Sequence, residues 1–347
     1  MVTRATSVAV VGAGISGLAC ARALVDAGHE PVVFEKSRFP GGRAAARLTE
    51  LGSFDHGAQY FTVKSDPFAK VIKALKQSGH VAPWKARVEA GDEGGAERLV
   101  GVPNMQALGQ GLALGLDVRY DQRVTRLERV LSTRPAKWSL RRVGYDAQAL
   151  DIEVTEGLFD AVAVALPPAQ ALELVDASKE IAGRLKTVTM RPCWALMLGF
   201  AEALDTPFDS TSVAGPRLAW IARDSSKPGR RTGERWVAHA TPTWSEEHLL
   251  DDPEDVRAKL VKAFREITKT PLQPVHAVVH RWRYSLSEKP LSDGFLWDAK
   301  LRVGVCGDWC SGARIESAWA SGDSLGRDIA KELSKIHPAA AQGVPGR

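Results

Sequence analysis

Val8-Ala9-Val10-Val11-Gly12-Ala13-Gly14-Ile15-Ser16-Gly17 is an apolar strand running straight into a GxGxxG turn. A helical stretch follows to Ala27, Gly28-His29 turns the chain, Pro31-Val32-Val33-Phe34 reads as a second strand, and Glu35 closes it ahead of Gly41-Gly42-Arg43. Each part has a physical task on a dinucleotide. Gly12 permits the tight turn, Gly14 lets backbone approach a pyrophosphate, and Gly17 lets the helix pack on the strand. The helix N-terminus offers unpaired N–H groups and the positive end of its dipole to that pyrophosphate. Glu35, about 20 residues beyond the glycines, is placed to accept both hydroxyls of an adenosine ribose and would repel a 2′-phosphate. The site reads as one for FAD or NAD rather than NADP.

Gly41-Gly42-Arg43 separates those two. Paired glycines allow a second close approach of backbone to diphosphate or ribityl, and Arg43 can hold a phosphate bidentately, which favours FAD. A matching half stands near the other end of the chain. Leu301-Arg302-Val303-Gly304-Val305-Cys306-Gly307-Asp308 reads as a strand ending in Gly-Asp, with Asp308 placed to accept a ribityl hydroxyl. The helix opened by Ile315-Glu316-Ser317-Ala318 can aim its N-terminus at the flavin pyrimidine edge, where negative charge develops on reduction.

The 347 residues exceed one ordinary core, and the 44% hydrophobic content is enough for a substantial interior, so two lobes are expected. A net charge of +5 is mildly basic, and Lys and Arg are scattered without a block, which argues against nucleic-acid binding and leaves room for a basic funnel toward an anionic substrate. Cys20, Cys193, Cys306 and Cys310 form no CxxC pair and no Cys/His cluster, so free thiols and no metal are expected. With no signal peptide and no long apolar run, a cytoplasmic protein that does not enter a membrane is expected.

Further segments, in order, are Phe54-Asp55-His56-Gly57-Ala58-Gln59-Tyr60-Phe61-Thr62, Gly101-Val102-Pro103-Asn104-Met105, His239-Ala240-Thr241, His280-Arg281-Trp282 and Cys306-Gly307-Asp308-Trp309-Cys310. Residues 8–43 resemble the amine-oxidase branch of flavoproteins. With these segments added, residues 8–333 resemble the bacterial renalases. The first and last motifs are specific to flavin binding; the middle ones are specific only as a set. The cofactor expected is FAD, bound noncovalently and held by Gly12, Gly14, Ile15, Ser16, Gly17, Glu35, Lys36, Gly42, Arg43, Val124, Gly307, Asp308 and Ala318. The resemblance implies oxidation of off-pathway 2- or 6-dihydro isomers of NAD(P)H to NAD(P)⁺ by hydride transfer to flavin, with O₂ reoxidation giving H₂O₂.

The fold expected is α/β: a Rossmann-type FAD-binding lobe with an inserted α+β substrate lobe built on an antiparallel sheet. The FAD lobe is drawn from residues 1–65, 100–168 and 296–335, the substrate lobe from 66–99 and 169–295, and 336–347 reads as a disordered tail rich in Ala, Gly and Pro. Helical spacing is seen at 67–77, 105–114 and 253–268. Strand signals lie at 118–127, 138–143, 160–166, 194–200, 218–222, 236–240 and 275–284. Gly91-Asp92-Glu93-Gly94-Gly95 reads as an exposed hairpin tip.

Flavin carries the hard step, so no obligatory acid or nucleophile is expected, and no GxSxG, HExxH or carboxylate pair is present. Candidate pocket residues are His56, Gln59, Tyr60, Trp220, Arg223, His239, Trp244, His280, Trp282 and Trp309. The aromatics are read as walls for a planar substrate and the histidines as partners for a carboxamide or phosphate, each weighed against an ordinary place in the core. Three other readings stay open. An amine oxidase would need an aromatic cage and often a lysine near the flavin, and no lysine stands out. A lipid desaturase or isomerase should show an apolar membrane-binding stretch. A flavin-binding module would show no turnover. A thioether to FAD at Cys306 or Cys310 also stays open.

Overall fold

The apolar run Val8-Ala9-Val10-Val11 lies at the centre of a parallel sheet. In a computed structural model describing residues 6–88, 95–145 and 151–336, the strand Ser7–Val11 pairs in parallel with Glu30–Phe34 on one side and Ala161–Val164 on the other. Val8, Ala9 and Val10 are fully buried, as a strand covered on both faces requires. Asp117–Arg119 extends the sheet beyond Glu30–Phe34, and Val303–Val305 extends it beyond Ala161–Val164. Leu296–Asp298 closes it as the antiparallel edge, making six strands. The strand expected from Leu301 begins only at Val303, because Arg302 takes a left-handed φ of 56° at the turn.

The expected strand 118–127 is two strands. Asp121, at φ 55°, bends the chain after Asp117–Arg119, and Gln122–Val130 joins a different, three-stranded antiparallel sheet with Lys137–Tyr145 and Asp151–Phe159. An aspartate tolerates that left-handed turn, and its periodicity gives no warning of it. Asp151–Phe159, whose Asp-Ile-Glu-Val-Thr start alternates polar and β-branched residues, is a strand not among those expected. Residues 91–94 of the expected hairpin tip lie outside the described residues. So do residues 337–347, the tail beyond the last helix, Ile315–Ile336.

The chain divides into two units, one of Met1–Gly42, Leu112–Thr189 and Ser287–Arg347, the other of Arg43–Gly111 and Met190–Leu286. Residues 43–65 and 100–111, read from sequence with the cofactor lobe, fall in the second unit by this division. In the first unit the helices Ile15–Asp26 and Ile315–Ile336 cross at glycines. A Cβ at Gly322 would run into the Ser16 carbonyl oxygen, and one at Gly326 would stand 2.5 Å from that of Cys20.

The second unit is built on a sheet ordered Ser210–Ser212, Leu218–Arg223, Glu234–Ala240, Met190–Phe200 and His276–Ser287. Alternation along these strands separates two faces. One face carries Leu196, Leu198, Phe200, Ile221, Trp236 and Ala238 against Val256, Leu260 and Phe264 of the helix Pro253–Thr268. Each fully buried Leu or Phe there contributes roughly 1.5–3 kcal/mol. Exposed ion pairs on that helix, such as Lys259–Asp251 at 3.0 Å, contribute about 0–1 kcal/mol, so packing decides its position. Asp252 caps its start by accepting from Glu254 N at 2.8 Å, and Pro253 follows at the first helical position. The other face carries Met197, Val237 and Val278 around Phe54.

Candidate functional site

Glycine geometry shapes the turn after the first strand. Gly12 has φ +102°, and a Cβ there would stand 2.7 Å from the Ala165 carbonyl oxygen. A Cβ at Gly17 would strike the Gly12 carbonyl, so helix and strand meet only because neither position carries a side chain. Gly14 begins the helix Ile15–Asp26 with no side-chain cap, and open space lies where its Cβ would be. The cap residue therefore supplies no side-chain partner to the first-turn N–H groups. Gly42, at φ +55°, comes close enough that a Cβ would sit 3.2 Å from Gly14 Cα, and Gly41 N donates to Ala13 O at 2.8 Å. The second glycine pair is thus folded directly onto the first.

Glu35 is buried beside this turn. Its Oε2 accepts from Ala13 N at 2.7 Å and its Oε1 from Ser37 N at 2.8 Å. Each oxygen keeps a further lone pair, so the carboxylate is oriented by backbone before any ribose arrives. On the other side of the sheet, Gly307 N donates to Ser321 Oγ at 3.0 Å, which ties the strand end to the last helix. Asp308 Oδ1 accepts from Trp309 N at 3.0 Å, and the Asp308 carbonyl accepts from Gly312 N at 2.7 Å. Cys306 and Cys310 are fully buried, and burial pushes both thiols up, Cys306 to about 12.

In the second unit, the sheet face opposite the helices gathers histidines and aromatic rings. Trp220 and His239 are direct cross-strand partners, and His280 and Trp282 follow Val278 at alternate positions on the same face. Segment 54–60 lies against them. His56 stacks on Trp282 at 5.1 Å between centroids and meets His280 edge-on at 4.7 Å. The His56 carbonyl accepts from His239 Nε2 at 3.1 Å and from Trp282 Nε1 at 3.0 Å. His239 therefore carries its proton on Nε2. Burial lowers all three imidazoles: His56 to about 3, with His280 and Arg47 adding to it, and His239 and His280 to about 4. They are neutral at physiological pH. Tyr60 packs 5.7 Å from Trp220, with the Arg98 guanidinium 4.8 Å above the Tyr60 ring.

Beneath this segment four charged side chains are buried together. Asp55 Oδ2 accepts from Lys227 Nζ at 2.9 Å and Arg230 Nη2 at 2.5 Å, while Asp55 Oδ1 accepts from Met105 N at 2.9 Å. Lys227 Nζ also donates to Asp224 Oδ1 at 2.7 Å and Gln59 Oε1 at 3.4 Å. Burial alone would raise Asp55, but Lys227 and Arg230 outweigh it and hold this carboxyl below its usual range. Asp224 is raised, by burial and by the neighbouring Asp55 charge.

Residues 10–77 match the NAD(P)-binding Rossmann-like domain, and residues 82–329 match the flavin-containing amine oxidoreductase family. The chain belongs to the flavin-containing amine oxidoreductases. As a member of that family it is an FAD-dependent oxidoreductase, and the uncapped helix, open Gly14 and oriented Glu35 fit that cofactor. A crystal structure from Exiguobacterium sp. 255-15, described as a protoporphyrinogen oxidase, is similar at TM-score 0.73 and 11% identity, over 95% of this chain and 100% of that one. Cyclohexylamine oxidase from Brevibacterium oxydans IH-35A is similar at TM-score 0.70 and 12% identity, over the same shares of the two chains. Both likenesses are of fold. The 15-cis-phytoene desaturase of Synechococcus elongatus is 49% identical over 80 residues, a match spanning 23% of this chain and 17% of the desaturase.

Of the pocket residues read from this oxidoreductase's sequence, His56, Tyr60, Trp220, His239, His280 and Trp282 come together on one face. Gln59 sits with them, but its amide is turned inward, donating to the Asp55 and Gly57 carbonyls. Three others lie elsewhere. Arg223 lies on the helix-side face, where its Nη2 donates to Thr206 Oγ1 at 2.7 Å and its guanidinium covers Trp236. Trp244 is part of the helix-side core. Trp309 is fully buried in the first unit, its Nε1 donating to Leu166 O at 3.1 Å. Among the cofactor residues, Ile15 and Ser16 form the first helical turn, Lys36 is exposed just past Glu35, Val124 is buried in Gln122–Val130, and Ala318 lies in the first turn of the last helix. Arg43 belongs to the second unit, where its Nη1 donates to Ser285 O at 2.9 Å.

The residues sequence reasoning missed are Asp55 as an ion-pair partner, Asp224, Lys227 and Arg230. Asp224-Ser225-Ser226-Lys227-Pro228-Gly229-Arg230 reads as a polar turn between strands, and its only signal is three charges inside a Pro-Gly bend. Among the described residues no cluster of potential metal ligands is found, and no helix is long and apolar enough to cross a membrane.

Proposed function

We propose that this flavoprotein is an oxidase of dihydronicotinamides reduced at the 2- or 6-position, returning them to NAD(P)⁺. The balance is one substrate, one proton and one O₂ going to NAD(P)⁺ and H₂O₂. When bound, FAD supplies the hydride acceptor that O₂ then reoxidises. The first unit carries the FAD-holding residues: the glycine turn for the pyrophosphate, Glu35 for the ribose, Asp308 for the ribityl. The second unit carries the substrate-selecting ones.

The observation that carries this reading is the neutral, aromatic sheet face of His56, His239, His280, Trp220, Trp282 and Tyr60. Such a face suits a planar, uncharged ring with a carboxamide, because tryptophan and tyrosine supply flat apolar area and neutral imidazoles supply hydrogen-bond partners. A dihydronicotinamide already holds a hydridic carbon, so positioning suffices and no residue has to remove a proton. Asp55, the carboxylate next to His56 in the chain, is already paired with Lys227 and Arg230, which offsets its pull on an ammonium group.

Family membership favours amine oxidation as the second reading. In that reading Lys227 would be the lysine the sequence left unplaced, but its ammonium is fully buried in two ion pairs. The deciding experiment is anaerobic stopped-flow absorbance of the yellow holoprotein mixed with 6-dihydro-NAD, ordinary NADH and a panel of amines. Rapid bleaching by the 6-dihydro isomer alone is expected. Bleaching by an amine instead would move the protein to the second reading.

A further inference from the structure

Asp55 and His56 are adjacent, and the pair is held from more sides than chain order requires. The Asp55 carboxylate takes three donors, from Met105 N, Lys227 and Arg230. The His56 carbonyl takes two, from His239 and Trp282. Gln59 folds back onto the Asp55 and Gly57 carbonyls and accepts from Lys227. Gly57 itself is pressed so close to the Arg43 carbonyl that a Cβ there would collide. Arg230 reaches in the other direction as well, donating to the Gly101 carbonyl at 2.8 Å.

Lys227, Asp55 and Asp224 are fully buried at the side chain, as is Arg230. Taking four charges out of water is a poor means of stabilising a fold, since apolar residues of similar volume are often as good or better. What such a cluster does well is select one arrangement, because any shift strands a charge without its partner.

We propose that Asp55, Lys227 and Arg230 form an ionic clamp that positions the His56 imidazole, holding it on Trp282 and edge-on to His280 so that the histidine face keeps a single geometry. These are positioning residues, and none of them is assigned to the substrate. The inference rests on the dihydronicotinamide reading for its catalytic consequence, but not for its structural one.

The test uses the FAD-loaded protein and two variants. Lys227→Met combined with Asp224→Asn removes one cation and one anion, leaving Asp55 held by Arg230 and the Met105 N–H, whereas Asp224→Asn by itself keeps the Lys227–Asp55 pair. Histidine-selective NMR titration reads the His56 imidazole directly. In the paired variant its midpoint should rise by about one pH unit or more as the ring loses its buried position. With the midpoint shift, kcat for 6-dihydro-NAD should fall about tenfold, with flavin content unchanged. Asp224→Asn alone should leave the midpoint at the wild-type value. An unmoved midpoint in the paired variant overturns the clamp, and so does an equal shift in both variants, because the effect would then follow the loss of any buried charge. Should the paired variant not fold, hydrogen exchange of the wild type decides. Amides at 55–59 should exchange as slowly as those of Glu234–Ala240, and fast exchange overturns the clamp. If the wild type bleaches only with amines, the functional reading fails while the titration still decides the clamp.

Discussion

Glu35 shows how much a single side chain can be prepared before its ligand arrives. Both carboxylate oxygens are oriented by backbone N–H groups, at 2.7 and 2.8 Å, so a ribose meets a fixed acceptor and not a mobile one. Hydrogen bonds to a charged group contribute about 1.5–3 kcal/mol. Glu35→Gln, which keeps the shape and loses the charge, should therefore weaken FAD binding roughly tenfold or more. Titrating apoprotein with FAD by fluorescence checks this; an unchanged Kd would remove the ribose from its role. The histidines give a pH prediction of definite sign. Folded His56, His239 and His280 take up protons only near 3 to 4, while in the unfolded chain they do so near the ordinary value of about 6.5. The unfolded state binds more protons in that window, so the stabilising contribution is complete above about pH 6.5 and is lost as pH falls toward 4. The melting temperature should drop through this range, and His239→Gln, which can still donate to the His56 carbonyl, should flatten the slope. Equal slopes would contradict it. Among these residues the sequence already marked Glu35 and the histidines, but not the neutrality of the histidines, which burial creates.

Two helices illustrate opposite consequences of glycine at the scale of an element. Gly322 lies where the last helix crosses Ile15–Asp26, against the Ser16 carbonyl, and a main-chain atom cannot move aside as a side chain would. Gly322→Ala should cost about 1–3 kcal/mol, as overpacking does, and should lower flavin retention because Ser16 belongs to the first turn of the cofactor helix. Gly183, exposed in the helix Lys179–Leu185, has nothing within 4 Å of the place a methyl would take, and it should behave the other way. Gly183→Ala should stabilise by about 0.5–1 kcal/mol through helix propensity. Urea denaturation of both variants checks the pair, and a shift of the same sign in each would contradict the crossing geometry. Element existence was readable where periodicity was strong: the helix expected at 253–268 is Pro253–Thr268, and that expected at 67–77 is Asp66–Gln77. It failed at 118–127, where one left-handed Asp121 sends an unbroken run of strand-forming residues into two different sheets.

For the whole molecule, the state of the flavin is the property to measure. Cys306 and Cys310 are buried and held as thiols, so neither offers the thiolate that a covalent link to flavin would need. Acid precipitation should leave the yellow colour in the supernatant, and a coloured pellet would show a bond to protein. The glycine turn, Glu35 and the Gly307-Asp308 strand end could be read from the chain because their requirements are local: a positive φ, a close approach, an acid at a strand end. Tertiary structure alone decided which aromatic and basic residues share a face. Sheet alternation sends Trp220, His239, His280 and Trp282 to one side and Arg223 to the other with Trp236, a separation that depends on strand register. It also decided the pairing of Asp55 with Lys227, 172 positions apart. No periodicity encodes a contact of that span, since a buried ion pair exists only once folding has removed the water that would otherwise separate its charges.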